Sequence, residues 1–202
     1  MGERPLSEAE ERRQKLQRQL DAGASPYLKR FPEPDPIAPL LERHSSFEPG
    51  DKSDNSYRVA GRLTAKREHG KATFFGLKDA TAKIQLYGNL NELGEEAYDA
   101  YRHLDMGDIV GVTGPVFRTR RGELSIQVES VVLLSKSLHP LPEKWHGLTD
   151  VEIRYRQRYL DLIANEEVRR VFEARSRILS SLRRFMDGRG FLEVETPMLQ
   201  GI

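Results

Sequence analysis

From Tyr57 to Leu134 the side chains follow a period of two, broken once by a helical stretch, and this pattern constrains the fold more than any other feature of the 202 residues. Apolar and polar residues that alternate over short runs specify strands with one face turned to a core. Tyr57-Arg58-Val59-Ala60-Gly61-Arg62-Leu63-Thr64 alternates, and Thr73 to Asp79 and Lys83 to Gly88 follow as strands. Glu92 to Leu104 reads as a helix. After Met106-Gly107-Asp108, Ile109 to Arg118 and Leu124 to Leu134 form a hairpin around Gly122.

Three strands, a helix and two strands is the element order of the five-stranded OB barrel, which binds oligonucleotides on the face of its second and third strands. The fold class read from the whole chain is α+β. In front of the barrel, Ser7 and Glu10 form a capping box and Gly23 a stop, giving a helix over residues 8–22. Its charges nearly cancel, so it reads either as a solvated helix with a small apolar seam at Leu16 and Leu20 or as an arm that touches RNA. Residues 26–56 hold six of the eleven prolines and end in a polar tract, the composition of a linker. A second linker covers residues 136–149. Thr149 and Glu152 make another capping box for a helix to about Ala164, and Asn165 caps a longer one to about Asp187. That helix carries an apolar stripe of Val168, Val171, Phe172, Ile178, Leu179, Leu182, Phe185 and Met186, and Phe191 to Thr196 follows as a strand. The domain expectation is therefore residues 1–56, 57–135, 136–149 and 150–202.

Composition limits the setting. With 38% hydrophobic and 31% charged residues the chain is expected to fold. No apolar run approaches the roughly 18 residues that span a bilayer, and there is no cysteine, so a cytoplasmic protein without disulfides is expected. Net charge is only +1, but its distribution is uneven. Seven Lys or Arg stand against two acids from Tyr57 to Gly88, and six acids against one Arg from Asn89 to Asp108. A basic block of this kind suits phosphates.

Strand parity supplies the main functional expectation. With Phe75, Leu77, Ile84 and Leu86 pointing inward, Phe74, Gly76, Lys78, Lys83, Gln85 and Tyr87 point outward. Rings stack unpaired bases for about 1 to 3 kcal/mol each, cations hold phosphates, and glycine lets a nucleotide approach. A fixed amide at Gln85, with one donor and one acceptor end, can distinguish uracil from cytosine, whose N3 and C4 groups have opposite polarity. Glu123, in phase with Ser125 and Gln127, is placed to accept from a base N–H. The rival reading of the same face is an ordinary solvated strand surface.

Several of these stretches resemble lysyl-tRNA synthetases of class II. Val59-Ala60-Gly61-Arg62, Gly70-Lys71-Ala72-Thr73-Phe74, Ile84-Gln85-Leu86-Tyr87, Gly107-Asp108-Ile109-Val110-Gly111 and Gly122-Glu123-Leu124-Ser125 are similar to successive parts of that family's anticodon-binding barrel. Pro140-Leu141-Pro142-Glu143-Lys144, with Arg154-Tyr155-Arg156, resembles the stretch leading into its catalytic domain. The resemblance implies that Arg67, Phe74, Gln85 and Glu123 contact a U-rich anticodon of tRNA(Lys), with Lys78, Lys83 and Tyr87 as further RNA contacts. Arg189 to Pro197 resembles motif 1, which implies a homodimer interface containing Gly190, Phe191 and Pro197. For the complete enzyme it implies lysine attachment to tRNA with ATP and Mg2+.

Motifs 2 and 3, which carry the ATP-binding arginines of that class, are not found in these residues. The expectation is therefore the front part of a lysine-tRNA ligase, ending in the first helices and strand of a truncated catalytic domain. Alone, it should bind no cofactor and be inactive. The Gly70-Lys71 pair lacks the earlier glycine of a P-loop, position 65 being Ala65, and the five histidines show no H-x-x-x-H spacing for a metal. Neither a membrane nor DNA is expected as a partner. The alternatives are a stand-alone RNA-binding module and a dimerisation scaffold.

Overall fold

The computed structural model describes residues 6–23, 25, 27, 30–142 and 148–197. It divides into two compact units, residues 1–140 and 141–202.

The first unit begins with α1 (Glu8–Asp21) and α2 (Ile37–Arg43), followed by β1 (Lys52–His69), β2 (Ala72–Lys78) and β3 (Lys83–Asn89). Two short helices, α3 (Leu90–Leu93) and α4 (Glu95–Arg102), lead to β4 (Ile109–Arg118), β5 (Leu124–Gln127) and β6 (Ser130–Ser135). β1 pairs antiparallel with β2 and β4, β2 with β3, and β4 with β5, while β3 and β5 run parallel, so five strands close into a ring. β6 pairs with β4 beyond β5. The expected single last strand is thus broken at Val128 and Glu129, where Val128 donates its N–H to Tyr87 and Glu129 donates to Thr113.

Alternation works as the parity argument requires. Val59, Leu63, Phe75, Leu77, Ile84, Leu86, Val110, Val112, Val116 and Ile126 are buried inside the ring. Each such side chain contributes about 1.5–3 kcal/mol by leaving water. α4 closes one end, with the Tyr101 ring edge-on to Phe75 at 5.1 Å and the Tyr98 hydroxyl 3.0 Å from Thr73 Oγ1. Tyr101 seats against Gly88, where a Cβ would lie 2.3 Å from its ring, so residue 88 has no room for a side chain.

The proline-rich segment departs from the linker expectation. Asp79 Oδ2 accepts from Ile37 N at 2.9 Å, starting α2, whose Ile37 and Leu40 are buried in the core. β1 also begins earlier than expected, at Lys52.

The N-terminal helix has its expected Ser7–Glu10 capping box, and it is docked rather than free. Arg12 is only 3% exposed and donates from Nη1 to the carbonyls of Met106, Ser137 and His139. Lys15 pairs with Asp105 at 2.5 Å. Behind that pair, the buried Lys136 ammonium contacts Asp105 at 2.5 Å and Asp108 at 2.8 Å. Part of the second expected linker is therefore an anchor. Residues 143–147 lie outside the described residues.

The second unit contains α5 (Val151–Arg156), α6 (Arg158–Ala164) and α7 (Glu166–Asp187). The cap of α5 is Asp150, accepting from Ile153 N at 3.0 Å, and not Thr149 as the capping box suggested. The helix expected to reach Ala164 breaks at Gln157, and Asn165 does not cap α7 with its side chain. Asn165 instead donates to Asp161 Oδ1 at 2.6 Å. Arg154 and Arg158 bond the same buried carboxylate. Burial pushes the Asp161 pKa up, but these hydrogen bonds and charges outweigh it and hold the group below its ordinary value. Residues 191–197 form no strand. A strand needs a ladder partner for its backbone groups, and among the described residues none lies alongside.

Candidate nucleic-acid interface

Strand register builds the interface row by row. Phe74 stands opposite Tyr87, and Tyr87 opposite Gln127. One row along, Gly76 faces Gln85, Gln85 faces Ser125, and Ser125 faces Phe117. Residues directly opposite share a face, so all of these lie on the outer surface of the ring.

The aromatic members touch. The Phe74 and Tyr87 centroids lie 5.2 Å apart, and Tyr87 and Phe117 are 5.7 Å apart, forming a ridge across three strands. Asn89 Nδ2 donates to the Tyr87 hydroxyl at 2.8 Å, fixing the central ring. Phe74, Tyr87 and Phe117 are all half-buried, with one part of each ring supported and another left open for stacking. Phe117 was not singled out from sequence, although the alternation around Val116 places it outward.

Arg67 joins this face because of a β-bulge. Leu63 lies opposite Leu77 and Ala65 opposite Gly76, so Thr64 is the extra residue. Counting by twos from Val59 and Leu63 would turn Arg67 inward, but the bulge reverses the parity and places it opposite Phe74. Gly76 accommodates the bulge, since a Cβ there would meet Thr64 Oγ1 at 3.1 Å. Arg67 is exposed.

Gln85 corrects the sequence reading. It lies on the outer face, as parity requires, but only 8% of it is exposed. Its Nε2 donates to Glu123 Oε2 at 2.8 Å, and Ser125 Oγ donates to its Oε1 at 3.1 Å. The amide is covered by side chains arriving from the β4–β5 hairpin, not inserted in the core. Glu123 is exposed and sits on a closed hairpin tip. Thr119 N donates to Glu123 O at 2.9 Å, Glu123 N donates to Thr119 Oγ1 at 3.0 Å, and Gly122 supplies the φ of 86° that the turn demands.

Lys78 and Lys83 stand opposite each other at the end of β2 and β3. Among the described residues no group of three His, Asp or Glu side chains is arranged to hold a metal ion. No helix among them is long and apolar enough to cross a membrane.

Comparison with known proteins decides the family. Residues 57–134 match the family described as OB-fold nucleic acid binding domain, and residues 150–202 match the one described as tRNA synthetases class II (D, K and N). The lysine–tRNA ligase of Pelotomaculum thermopropionicum is 51% identical over 191 residues, covering 95% of this chain. The chain belongs to the lysine–tRNA ligase family. The lysine–tRNA ligase of Carboxydothermus hydrogenoformans is 49% identical over 191 residues, and that of Methanoculleus marisnigri 50% over 189. The chain spans 37% of the length of the first of these relatives and 38% of the second. In family terms, the strand ring is the OB-fold domain and the helices from α5 onward are the start of the class II synthetase domain.

Of the residues expected to act, the ring brings together Arg67, Phe74, Tyr87, Gln85 and Glu123 on one face. Gly190, Phe191 and Pro197 belong to the second unit, where Phe191 is exposed beside the exposed stripe of α7.

Proposed function

We propose that the outer face of the OB-fold domain binds the U-rich anticodon of tRNA(Lys), and that the complete protein attaches lysine to that tRNA with ATP and Mg2+. The observation that carries this reading is the Phe74–Tyr87–Phe117 ridge beside a hydrogen-bonded amide, with Arg67 at its edge. Unpaired anticodon bases stack on the ridge, Arg67, Lys78 and Lys83 hold the backbone, and Gln85 addresses the base edge. The relatives' shared name, lysine–tRNA ligase, supports the substrate.

Motifs 2 and 3 are not among these residues, so the chain by itself is expected to bind RNA without ligating lysine. The second unit is proposed to contribute a homodimer interface through α7 and the Gly190, Phe191 and Pro197 segment, and the protein to act in the cytoplasm.

The test is a fluorescence titration of the chain with anticodon stem-loops that differ only in a UUU or CCC triplet. Tighter binding of UUU, weakening as salt rises, is expected. Equal affinity for both would overturn the anticodon assignment.

A further inference from the structure

A primary amide is not by itself selective between pyrimidines. Uracil presents an acceptor at O4 beside a donor at N3, and cytosine presents a donor at N4 beside an acceptor at N3. A glutamine pairs with uracil through both ends of its amide in one orientation. Rotated by half a turn, it pairs with cytosine equally well. Selectivity therefore requires something that forbids the rotation.

The structure supplies it. A carboxylate has no hydrogen to give, so the end of Gln85 that faces Glu123 Oε2 at 2.8 Å must be its NH2. Turning the amide over would set two acceptor oxygens against each other. Ser125 Oγ, fully buried, meets the other end at 3.1 Å, and it also lies 3.3 Å from the Glu123 carbonyl. Because the hydroxyl can donate or accept, it seats the amide without choosing its direction, whereas the carboxylate does choose. After these bonds the amide still has one N–H and one lone pair to offer a base, in a fixed order. The closed hairpin tip bonds the Glu123 backbone on both sides, and from there the carboxylate reaches Gln85.

We infer that Glu123 is a positioning residue, which confers preference for uracil over cytosine by locking the orientation of the Gln85 amide. Ser125 is the seat of that lock. The inference rests on the anticodon reading above and deepens it.

Glu123→Gln tests this directly, because a second amide accepts either end of Gln85. In the titration of the whole chain with the UUU and CCC stem-loops, the variant is expected to lose UUU preference chiefly through a gain of CCC affinity. The preference should fall by about 5- to 10-fold, the scale of one hydrogen bond. In a Gln85→Ala background the same change should leave the ratio untouched, since no amide remains to be oriented. Ser125→Ala should loosen the seat and weaken binding of both stem-loops while leaving the ratio nearer that of the unmodified chain than Glu123→Gln does, and Ser125→Thr should restore the affinity.

Loss of UUU affinity in Glu123→Gln with no gain for CCC would overturn the inference, because that is the signature of a carboxylate contacting the base itself. An effect on the ratio that persists without Gln85 would overturn it too. If the unmodified chain shows no UUU preference, the anticodon reading itself fails, so the two failures are told apart in one experiment.

Discussion

At the scale of single residues the ridge makes a quantitative prediction. Phe74→Ala removes a stacking surface but little core, because the ring is half-buried outside the barrel. It is expected to weaken stem-loop binding by about 1 to 3 kcal/mol with a small change in thermal midpoint. Phe117→Ala should cost less binding, since Phe117 meets Tyr87 rather than Phe74. Matched titrations and melting curves check both, and an unchanged dissociation constant for Phe74→Ala would remove that ring from the site. Phe74, Tyr87 and Gln85 were legible as outward residues because parity is a local property of each strand. The burial of Gln85 was not, since its cover comes from Glu123 and Ser125, 38 and 40 residues further along. Arg67 was named by the family resemblance but illegible by parity, for a different reason: one extra residue at Thr64 inverts the count, and nothing in an alternating sequence announces a bulge.

At the scale of elements the same division holds. The barrel strands announced themselves by period, whereas α2 was hidden because its seven residues include Pro39 and lie among five other prolines. Its stability comes from burying Ile37 and Leu40 and from the Asp79 carboxylate at its start, tertiary effects that propensity does not register. The docking of α1 is tertiary in the same sense, and it depends on the Lys15, Asp105, Lys136 and Asp108 network. Burial pushes the Asp105 pKa up, but hydrogen bonds from Lys136 and Lys15 outweigh it, so the folded value lies below the ordinary one. The unfolded chain then binds more protons in that interval. The stability from Asp105 is whole above about pH 4, the ordinary carboxylate range, and is lost as pH falls through the folded value. Lys136→Met leaves the buried Asp108 without its cation and should cost about 3–5 kcal/mol at neutral pH. It should also flatten the acid limb of a urea-unfolding series, and an acid limb of unchanged slope would show that Lys136 does not set the Asp105 value.

At the scale of the whole molecule, the two units are finished to different degrees. The first encloses an apolar core within its strand ring, whereas α7 leaves Val171, Phe172, Ile178, Leu179, Leu182 and Phe185 exposed, with Val171 and Ile178 each at 66%. A contiguous exposed apolar stripe marks an interaction surface, and a self-complementary helix pair is the simplest cover under two-fold symmetry. The chain is accordingly expected to sediment as a dimer at micromolar concentration. Ile178→Glu tests the assignment because that side chain is 66% exposed: a charge there costs the monomer little but would be buried unpaired in a dimer. The variant should sediment as a monomer and bind the UUU stem-loop as tightly as before, since the reading face lies wholly within residues 67–127 of the other unit. A monomer already in the unmodified chain would show that α7 is covered by something other than a second copy, and a variant that loses RNA binding along with dimerisation would show that the anticodon face depends on the pair.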